Sequence, residues 1–463
     1  MISDGSWIEM EGNQEMDVSY DVVILGAGPA GLFAAYELIG SNLKVLVIDK
    51  GEEPLKRDSL LFGVGGAGAY SDGKLNLTPR IGGSSESFKR TDKDVQEIID
   101  EIDKVFTKLG AREEYSGINK QDILALKKKA ANYGIEFVAG KQRHIGSDHL
   151  PSLMDKLYRE IELNDVTFAL NTEIRKILRK GKEFVLKNSQ KDITARYIIA
   201  APGRPGAYWL RKEAEELGIK YRYGPIDVGV RLEFPAEIYQ DIQRIMYDAK
   251  FRMFSPTHDD LVRTFCANPG GFVSVENYGD FILVNGHAAK KKKSQNTNLA
   301  LLSRIELTDP VEDTTTYGRA IAQLANTIGG GKPLLQRLKD LKIGRRSTWE
   351  RLSHSSITPT LKNATPGDIS MALPKRIVTN ILEAIEKINN LFPGINSENT
   401  LIYAPEIKFY DTKYEISPYM ETNVKNFYVA GDASGYARGI VYSAVTGMLA
   451  AKNIKEKGNS LPK

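Results

Sequence analysis

Three glycines spaced as Gly26-x-Gly28-x-x-Gly31, with Asp49 lying 18 residues after the last, have the types and spacing to hold a dinucleotide. Gly26 suits the tight turn, Gly28 lets the backbone approach a pyrophosphate, and Gly31 lets the following helix pack closely. Pro29 and Ala30 open that helix, whose free N–H groups and dipole favour an anion. Asp49, next to Lys50, would accept hydrogen bonds from a ribose and disfavours a 2′-phosphate, so FAD or NAD is expected rather than NADP. A second stretch, residues 63–76, carries glycines at 63, 65, 66, 68 and 73. No regular element tolerates that density well. It reads as a backbone wall laid against a flat cofactor, with Gly66 in the wall and Ser71 and Lys74 reaching polar atoms. The plainer alternatives are an ordinary strand–turn–helix for the first stretch and a flexible loop for the second.

The elements that must position these residues follow from periodicity. Val22-Val-Ile-Leu25 is a continuous apolar run, as in a buried parallel strand, and 44–48 is its partner. A helix is expected over 32–38. Helices are also expected over 95–109, with Ile98, Ile99, Ile102, Val105 and Phe106 as the buried stripe, over 123–132, and over 151–163, capped by Ser147 or Asp148. His144 and His149 are read as loop residues. Short strands are expected at 166–170, 173–178 and 183–186. Residues 196–201 form another buried strand, which ends in Ala201 and the sharp turn Pro202-Gly203-Arg204. From about 206 the pattern changes. Residues 228–234 and 272–276 alternate as antiparallel strands do, and 281–286 would pair with the latter across the turn 277–280. Lys290 to Lys293 reads as a solvated loop. A helix over 376–392, with Ile377, Ile381, Ile385 and Ile388 on one side, is ended by Pro393-Gly394.

At 463 residues the chain has room for two or three domains, and its hydrophobic (41%) and charged (26%) fractions suit a soluble globular protein. A net charge of +4 permits an anionic substrate without demanding nucleic acid. The single cysteine, Cys266, excludes an intrachain disulfide, a redox dithiol and a cysteine-based zinc site, and suits a reducing cytoplasm. No metal site is expected. Asp4, Glu9, Glu11, Glu15 and Asp17 precede any Lys or Arg, unlike a signal peptide, so residues 1–18 read as an acidic extension. No apolar run reaches the length of a membrane span.

Near the C-terminus another apolar strand runs into Gly431-Asp432. A helix rich in small residues follows over 441–454. Together, the N-terminal strand–Gly-x-Gly-x-x-Gly–helix–strand–Asp unit and the C-terminal strand–Gly-Asp–helix resemble the FAD-binding domain of the glutathione-reductase-like flavoproteins. The resemblance implies that Asp432 holds the ribityl chain, that Gly439 and Ile440 lie near flavin O2, and that Ile174 contacts the adenine through its backbone. It also implies that the helix N-terminus, with Arg438, stabilises an anionic reduced flavin. The stretches Gly65 to Leu75, Arg143-His-Ile-Gly146, Thr264-Phe-Cys266, Pro269-Gly-Gly271, Ala364-Thr-Pro-Gly-Asp368 and Tyr403-Ala-Pro-Glu-Ile-Lys408 are similar to a microbial family of predicted FAD-dependent dehydrogenases. That likeness runs along nearly the whole chain from about residue 20. The expected class is therefore α/β, a Rossmann-like FAD-binding domain with a mixed, largely antiparallel β/α substrate domain. The FAD-binding domain would take 19–205 and 400–463, with a helical insertion at about 90–145, and the substrate domain 206–399.

Two departures narrow the chemistry. There is no dithiol and no second strand–Gly-x-Gly-x-x-Gly–helix unit, as disulfide reductases have. Pro202-Gly203-Arg204 stands where aromatic-ring hydroxylases usually carry Asp-Gly. The expected protein is an FAD-dependent oxidoreductase, a dehydrogenase or reductase that moves a hydride through flavin N5 to or from a small substrate. NAD(P)H or another electron donor is expected as its partner. Lys74 could steady flavin N5 or a substrate anion, Cys266 is a candidate catalyst, His287 a candidate general acid, and Arg345 and Arg346 could bind a carboxylate. Each has a plainer reading as a surface, core, turn or helix-end residue. The Cys266–Gly271 segment is expected to roof the flavin opposite the glycine loop. The alternatives are a flavin-dependent nucleic-acid-modifying enzyme, less favoured at so mild a charge, and a non-catalytic FAD-binding protein.

Overall fold

The computed structural model describes residues 18–59, 61–69, 73–112, 114–189, 191–308, 312–409 and 412–459. The expected acidic extension, apart from Val18, and Ser71 lie outside the described residues.

Two large sheets organise the chain. In the first, Val18–Leu25 lies between Val45–Ile48 and Ile193–Ala200, parallel to both. Thr167–Ala169 extends the sheet beside Val45–Ile48, and Phe427–Val429 pairs in parallel with the end of Ile193–Ala200. An antiparallel meander, Lys176–Lys180 and Glu183–Lys187, pairs with the start of Ile193–Ala200. Val22 to Leu25 and Val45 to Ile48 are buried on both faces, which is why they are apolar without alternation. One face is covered by the helices Pro29–Leu38, Asp92–Lys108, Leu150–Glu162 and Gly439–Asn459, the other by Ala207–Leu217. The last helix packs directly on the first: a Cβ at Gly447 would lie 1.9 Å from the Ala30 carbonyl oxygen. That contact accounts for its small residues.

The second sheet has eight strands in the order Thr365–Pro366, Leu334–Arg337, Leu401–Phe409, Ile226–Pro235, Asn296–Ile305, Leu261–Asn268, Lys250–Phe254, Ile135–Val138. Val228, Val230, Leu232 and Phe234 face a core shared with the helices Thr314–Ile328 and Lys375–Ile388. Ile377, Ile381, Ile385 and Ile388 form the buried stripe expected from their spacing. The expected hairpin forms between Phe272–Asn277 and Ile282–His287, each strand running one residue past the expected bounds at its C-terminal end, with Asn277 opposite Ile282.

Several expectations are corrected. Ile135–Val138, placed in a helical insertion of the first domain, is the edge strand of the second sheet, paired with Lys250 to Met253. Leu401–Phe409, placed after the boundary at 400, pairs with Ile226–Pro235 at the middle of that sheet. The glycine stretch contains one helical turn, Gly66–Ala69, despite its composition. The helix Leu150–Glu162 begins at His149 without a side-chain cap, because Asp148 instead accepts the backbone N–H groups of Lys290 and Lys291. Those bonds also anchor the lysine run. His144 is no loop residue: it ends the strand Gln142–His144, and its ring stacks on Tyr247 with centroids 4.1 Å apart. Among the described residues no helix is long and apolar enough to cross a membrane.

Candidate cofactor and active site

The glycines of the first turn divide into two kinds. Gly26 has φ +102°, and a Cβ there would sit 2.3 Å from the Ala201 carbonyl oxygen. A Cβ at Gly31 would sit 1.9 Å from the Gly26 carbonyl oxygen. These two are required by packing. Gly28 is different: the nearest atom to its notional Cβ is Gly66 Cα at 3.8 Å, so the backbone there borders open space. Helix Pro29–Leu38 has no side-chain cap. Its first-turn N–H groups, those of Ala30 and Gly31, are the donors an anion would use. Gly66 Cα approaches Gly28 Cα, and a Cβ on Gly68 would touch both Pro29 and Ile440 at 3.1 Å. The glycine loop and the starts of the first and last helices therefore meet at one place.

Asp49 is more engaged than its spacing suggests. Its Oδ2 accepts the N–H of Ala27 at 2.8 Å, and its Oδ1 accepts those of Gly51 and Gly63, both at 2.9 Å. A carboxylate has about four acceptor positions, so one on Oδ2 is left for a ribose. Arg57, unremarked in the sequence, is buried and donates to the carbonyls of Ser59, Gly63, Val64 and Gly66, which shapes the loop from beneath. It stands in a run of charged residues, and no local pattern marks it. Lys50 is exposed, with its ammonium 3.6 Å from the centre of the Phe62 ring. Ile174 is buried with Ile177, Phe184 and Leu186. The Ala201 amide donates to Leu25 O at 2.8 Å, and Gly203 turns the chain at φ +66°.

On the same C-terminal edge of the sheet, where Leu25, Ala200 and Val429 lie level, Gly431 (φ +72°) brings a notional Cβ within 3.1 Å of Ala30 Cβ. Asp432 follows: its Oδ1 accepts Ser443 Oγ at 2.9 Å, and its Oδ2 lies 3.6 Å from Arg204 Nε. The last helix starts at Gly439, which is exposed at φ +79° with nothing within 4 Å of a Cβ. Ile440 behind it is buried. The expectation for Arg438 is corrected. Rather than projecting its charge into the open space, the guanidinium donates to the carbonyls of Asp432 (2.7 Å), Ala437 (2.9 Å) and Phe409. It ties the start of the last helix to the end of a second-sheet strand.

These features fit an FAD. Open backbone at Gly28 and Gly439, uncapped helix donors at Ala30 and Gly31, and a partly exposed carboxylate at Asp432 lie along one path beside the glycine loop. Comparison with known proteins agrees. Residues 20–205 match the family described as pyridine nucleotide-disulphide oxidoreductase, and residues 225–408 match the one described as FAD-dependent protein, C-terminal domain-like. The protein is an FAD-dependent oxidoreductase. It is 27% identical to an uncharacterized protein of Clostridium beijerinckii, over 95% of this chain and 81% of that one. Among solved structures it is similar to a glycine oxidase from Geobacillus kaustophilus (14% identity, TM-score 0.43, 95% of each chain). A second is the 3-ketosteroid-delta4-(5alpha)-dehydrogenase of Rhodococcus jostii (13% identity, TM-score 0.43, 96% of this chain and 98% of that one).

The catalytic candidates are placed unequally in this oxidoreductase. Lys74 is enclosed: its ammonium donates to Ala267 O at 2.8 Å and pairs with Asp248 at 3.1 Å. Its charge is committed to the joint between the glycine loop and the second sheet, which corrects its reading as a cation offered to flavin N5 or to substrate. Asp248 also accepts the Ala267 N–H, so this pair grips both sides of one residue. Cys266, next to it, is half-buried at φ +43° in a bulge where the pairing of Leu261–Asn268 with Asn296–Ile305 slips. A left-handed non-glycine residue is uncommon. Here its carbonyl is held by Arg231 Nη1 (3.1 Å) and Asn268 Nδ2 (3.0 Å). The His287 ring stacks on Phe272 at 5.7 Å. Arg345 pairs with Asp340 at 2.6 Å, and Arg346 accepts Arg351 through its carbonyl, so both sit in the local structure around helix Leu338–Lys342.

Arg231 was not anticipated. It and Glu406 are fully buried and joined by two bonds of 2.7 Å. Arg231 also reaches Asn298 and Asn285. The alternation around 230 gives the strand one polar side, and the hairpin Phe272–His287 covers that side.

Asp248 provides a pH test. Burial pushes its carboxyl up, but Lys250, Lys74 and the Ala267 N–H more than offset this and hold it at about 2. A folded-state value below the unfolded one near 4 means stability present above about pH 4 and lost as pH falls towards 2, on the order of 2 kcal/mol. Urea midpoints measured from pH 5 to pH 2 should fall less steeply in Asp248→Asn than in wild type. Parallel profiles would show that this carboxylate stays unlinked to acid unfolding.

Proposed function

We propose that the protein is a dehydrogenase or reductase of the microbial FAD-dependent dehydrogenase type, exchanging a hydride with a small substrate and using NAD(P)H or another donor or acceptor. The observation that carries this reading is the convergence of two helix N-termini, at Ala30–Gly31 and at Gly439, on the path that ends at Asp432. Ala30 and Gly31 would hold the pyrophosphate, Asp49 the adenosine ribose and Asp432 the ribityl chain. Bound FAD supplies hydride transfer at N5, with the negative charge of its reduced form spread over the N1–C2=O edge. The amide donors at Gly439 and Ile440 would lie against that edge, fixed in direction by the helix and needing no reorganisation. Arg438 would act on them indirectly, by fixing where the helix starts. The bulge Cys266–Ala267–Asn268, gripped by Lys74, Asp248 and Arg231, would form a rigid wall of the substrate chamber.

A single cysteine supports a route without a dithiol. The test is anaerobic photometry of the yellow protein against NADH, NADPH and a panel of metabolites, with wild type beside Cys266→Ser. At least one donor should bleach the flavin, and Cys266→Ser should keep more than about a tenth of the rate, since a packing cysteine gives up only a weak S–H. Bleaching by dithionite alone would favour a non-catalytic flavoprotein. Complete loss in Cys266→Ser with FAD still bound would make the thiol a reactant.

A further inference from the structure

Arg204 follows directly on the strand that carries the cofactor crevice, in the turn opened by Gly203. Its guanidinium faces two carboxylates from different sheets. Nε lies 3.6 Å from Asp432 Oδ2, and Nη2 lies 3.3 Å from Glu276 Oε1 on the hairpin. Nη1 reaches Glu276 Oε2 and the Tyr278 hydroxyl, both at 3.5 Å. Glu276 is fixed in turn. Asn285 donates to it at 2.6 Å, and Lys408 stands 3.9 Å away. Burial pushes the Glu276 carboxyl up, but Arg204 and Lys408 hold it down at about 2. Asn285 also accepts from Arg231, and Arg231 holds the Cys266 carbonyl. Polar contacts thus run without a gap from Asp432 to the bulge.

We propose that Arg204 is a positioning residue of the cofactor site: it orients the Asp432 carboxylate for the ribityl chain and takes its own orientation from Glu276, so that FAD binding and seating of the hairpin Phe272–His287 favour each other. This rests on the reading of Asp432 as the ribityl acceptor. The physical reason is that an ionised, oriented acceptor makes a stronger bond than one free to rotate. A planar guanidinium holds two carboxylates in set directions through its rigid fork of donors, whereas an ammonium attracts them as a rotatable point charge. The coupling is reciprocal: a hairpin that helps FAD bind must itself be held by bound FAD.

The experiment is FAD titration of full-length apo-protein by flavin fluorescence for wild type, Asp432→Asn, Arg204→Ala, Arg204→Lys, Glu276→Gln and the double variant Arg204→Ala/Asp432→Asn. Thermal melts of each apo form are recorded alongside. Arg204→Ala should weaken FAD by about tenfold, Arg204→Lys by less, and Glu276→Gln, acting through Arg204, by about threefold. The double variant should be no more than about threefold weaker than Asp432→Asn alone, because the two residues act as one unit. A merely structural role would lower the apo melting temperature and leave the two affinity losses multiplying. Affinity of Arg204→Ala within twofold of wild type, or losses that multiply, overturns the proposal while leaving the cofactor site intact. Wild-type affinity in Asp432→Asn overturns both. Should Arg204→Ala not fold, Glu276→Gln decides by the same measure, since it leaves the guanidinium in place.

Discussion

Asp432→Ala is expected to purify nearly colourless while its apo-protein melts close to wild type, and Asp49→Ala is expected to do the reverse, keeping some FAD but losing stability. The contrast follows from what each carboxylate holds. Asp432 makes one bond with a side chain, Ser443, and one long ion pair, with Arg204. Little of the fold depends on it, whereas a charge-assisted bond to a ribityl hydroxyl is worth about 1.5–3 kcal/mol, or roughly ten- to a hundredfold in affinity. Asp49 binds three backbone N–H groups from the first turn, its own turn and the glycine loop. Removing it strands those donors, at about 1 kcal/mol or more each where they stay dry. The measurements are the ratio of flavin to protein absorbance after gel filtration, the affinity for added FAD, and apo melting curves. Equal FAD content in both variants and wild type would remove Asp432 from the cofactor site. An unchanged melt for Asp49→Ala would show that water or a neighbour replaces its three bonds.

The parts of this molecule legible in the sequence are those dictated by backbone geometry. A parallel strand buried on both faces must be continuously apolar, so Val22 to Leu25 announces itself. A glycine that would place a Cβ 1.9 or 2.3 Å from a carbonyl oxygen has no substitute, so Gly26 and Gly31 announce the turn. The parts that were not legible depend on partners far along the chain. Asp148 has the right position to cap a helix, but N–H groups from residues 142 and 143 positions away take it. Lys74 looks like a free cation until Asp248 is folded against it. The alternation at 228–234 reveals a strand with one polar side, and periodicity cannot say whether that side meets water. It meets Glu406, 175 residues away, and a covering hairpin. Arg57 is hidden for the same reason, since the loop acceptors it holds are backbone carbonyls, which carry no sequence signature.

That covered polar side leads to the largest expected change in stability. Arg231→Met should destabilise the apo-protein by about 3–5 kcal/mol, the usual cost of leaving one charge of a buried pair without its partner. Glu406 has no exposure through which to recover hydration, and Lys408, 3.2 Å away, offers only a second, off-axis cation. The site also resists repair by movement. A Cβ at Gly286 would lie 2.5 Å from Arg231 Nη1 and 2.1 Å from Asn298 Oδ1, so the hairpin presses on the guanidinium with no spare room. Removing both charges, as Arg231→Met with Glu406→Gln, should recover part of the loss, because the desolvation cost of the pair disappears along with its attraction, while buried Lys408 loses its nearer counter-charge and keeps Glu276, 3.9 Å away. It should not recover the bulge. The Cys266 carbonyl would keep Asn268 but lose Arg231, and Cys266 would be freer to leave its left-handed conformation. Chemical denaturation of wild type, both single variants and the double variant measures the first effect. The rate of flavin reduction by whichever donor proves active measures the second. A loss below about 1 kcal/mol in Arg231→Met would mean that the cavity admits water to Glu406. A double variant that regained both stability and wild-type reduction rate would show that the ion pair serves the fold alone and that the wall of the chamber is set by Lys74 and Asp248.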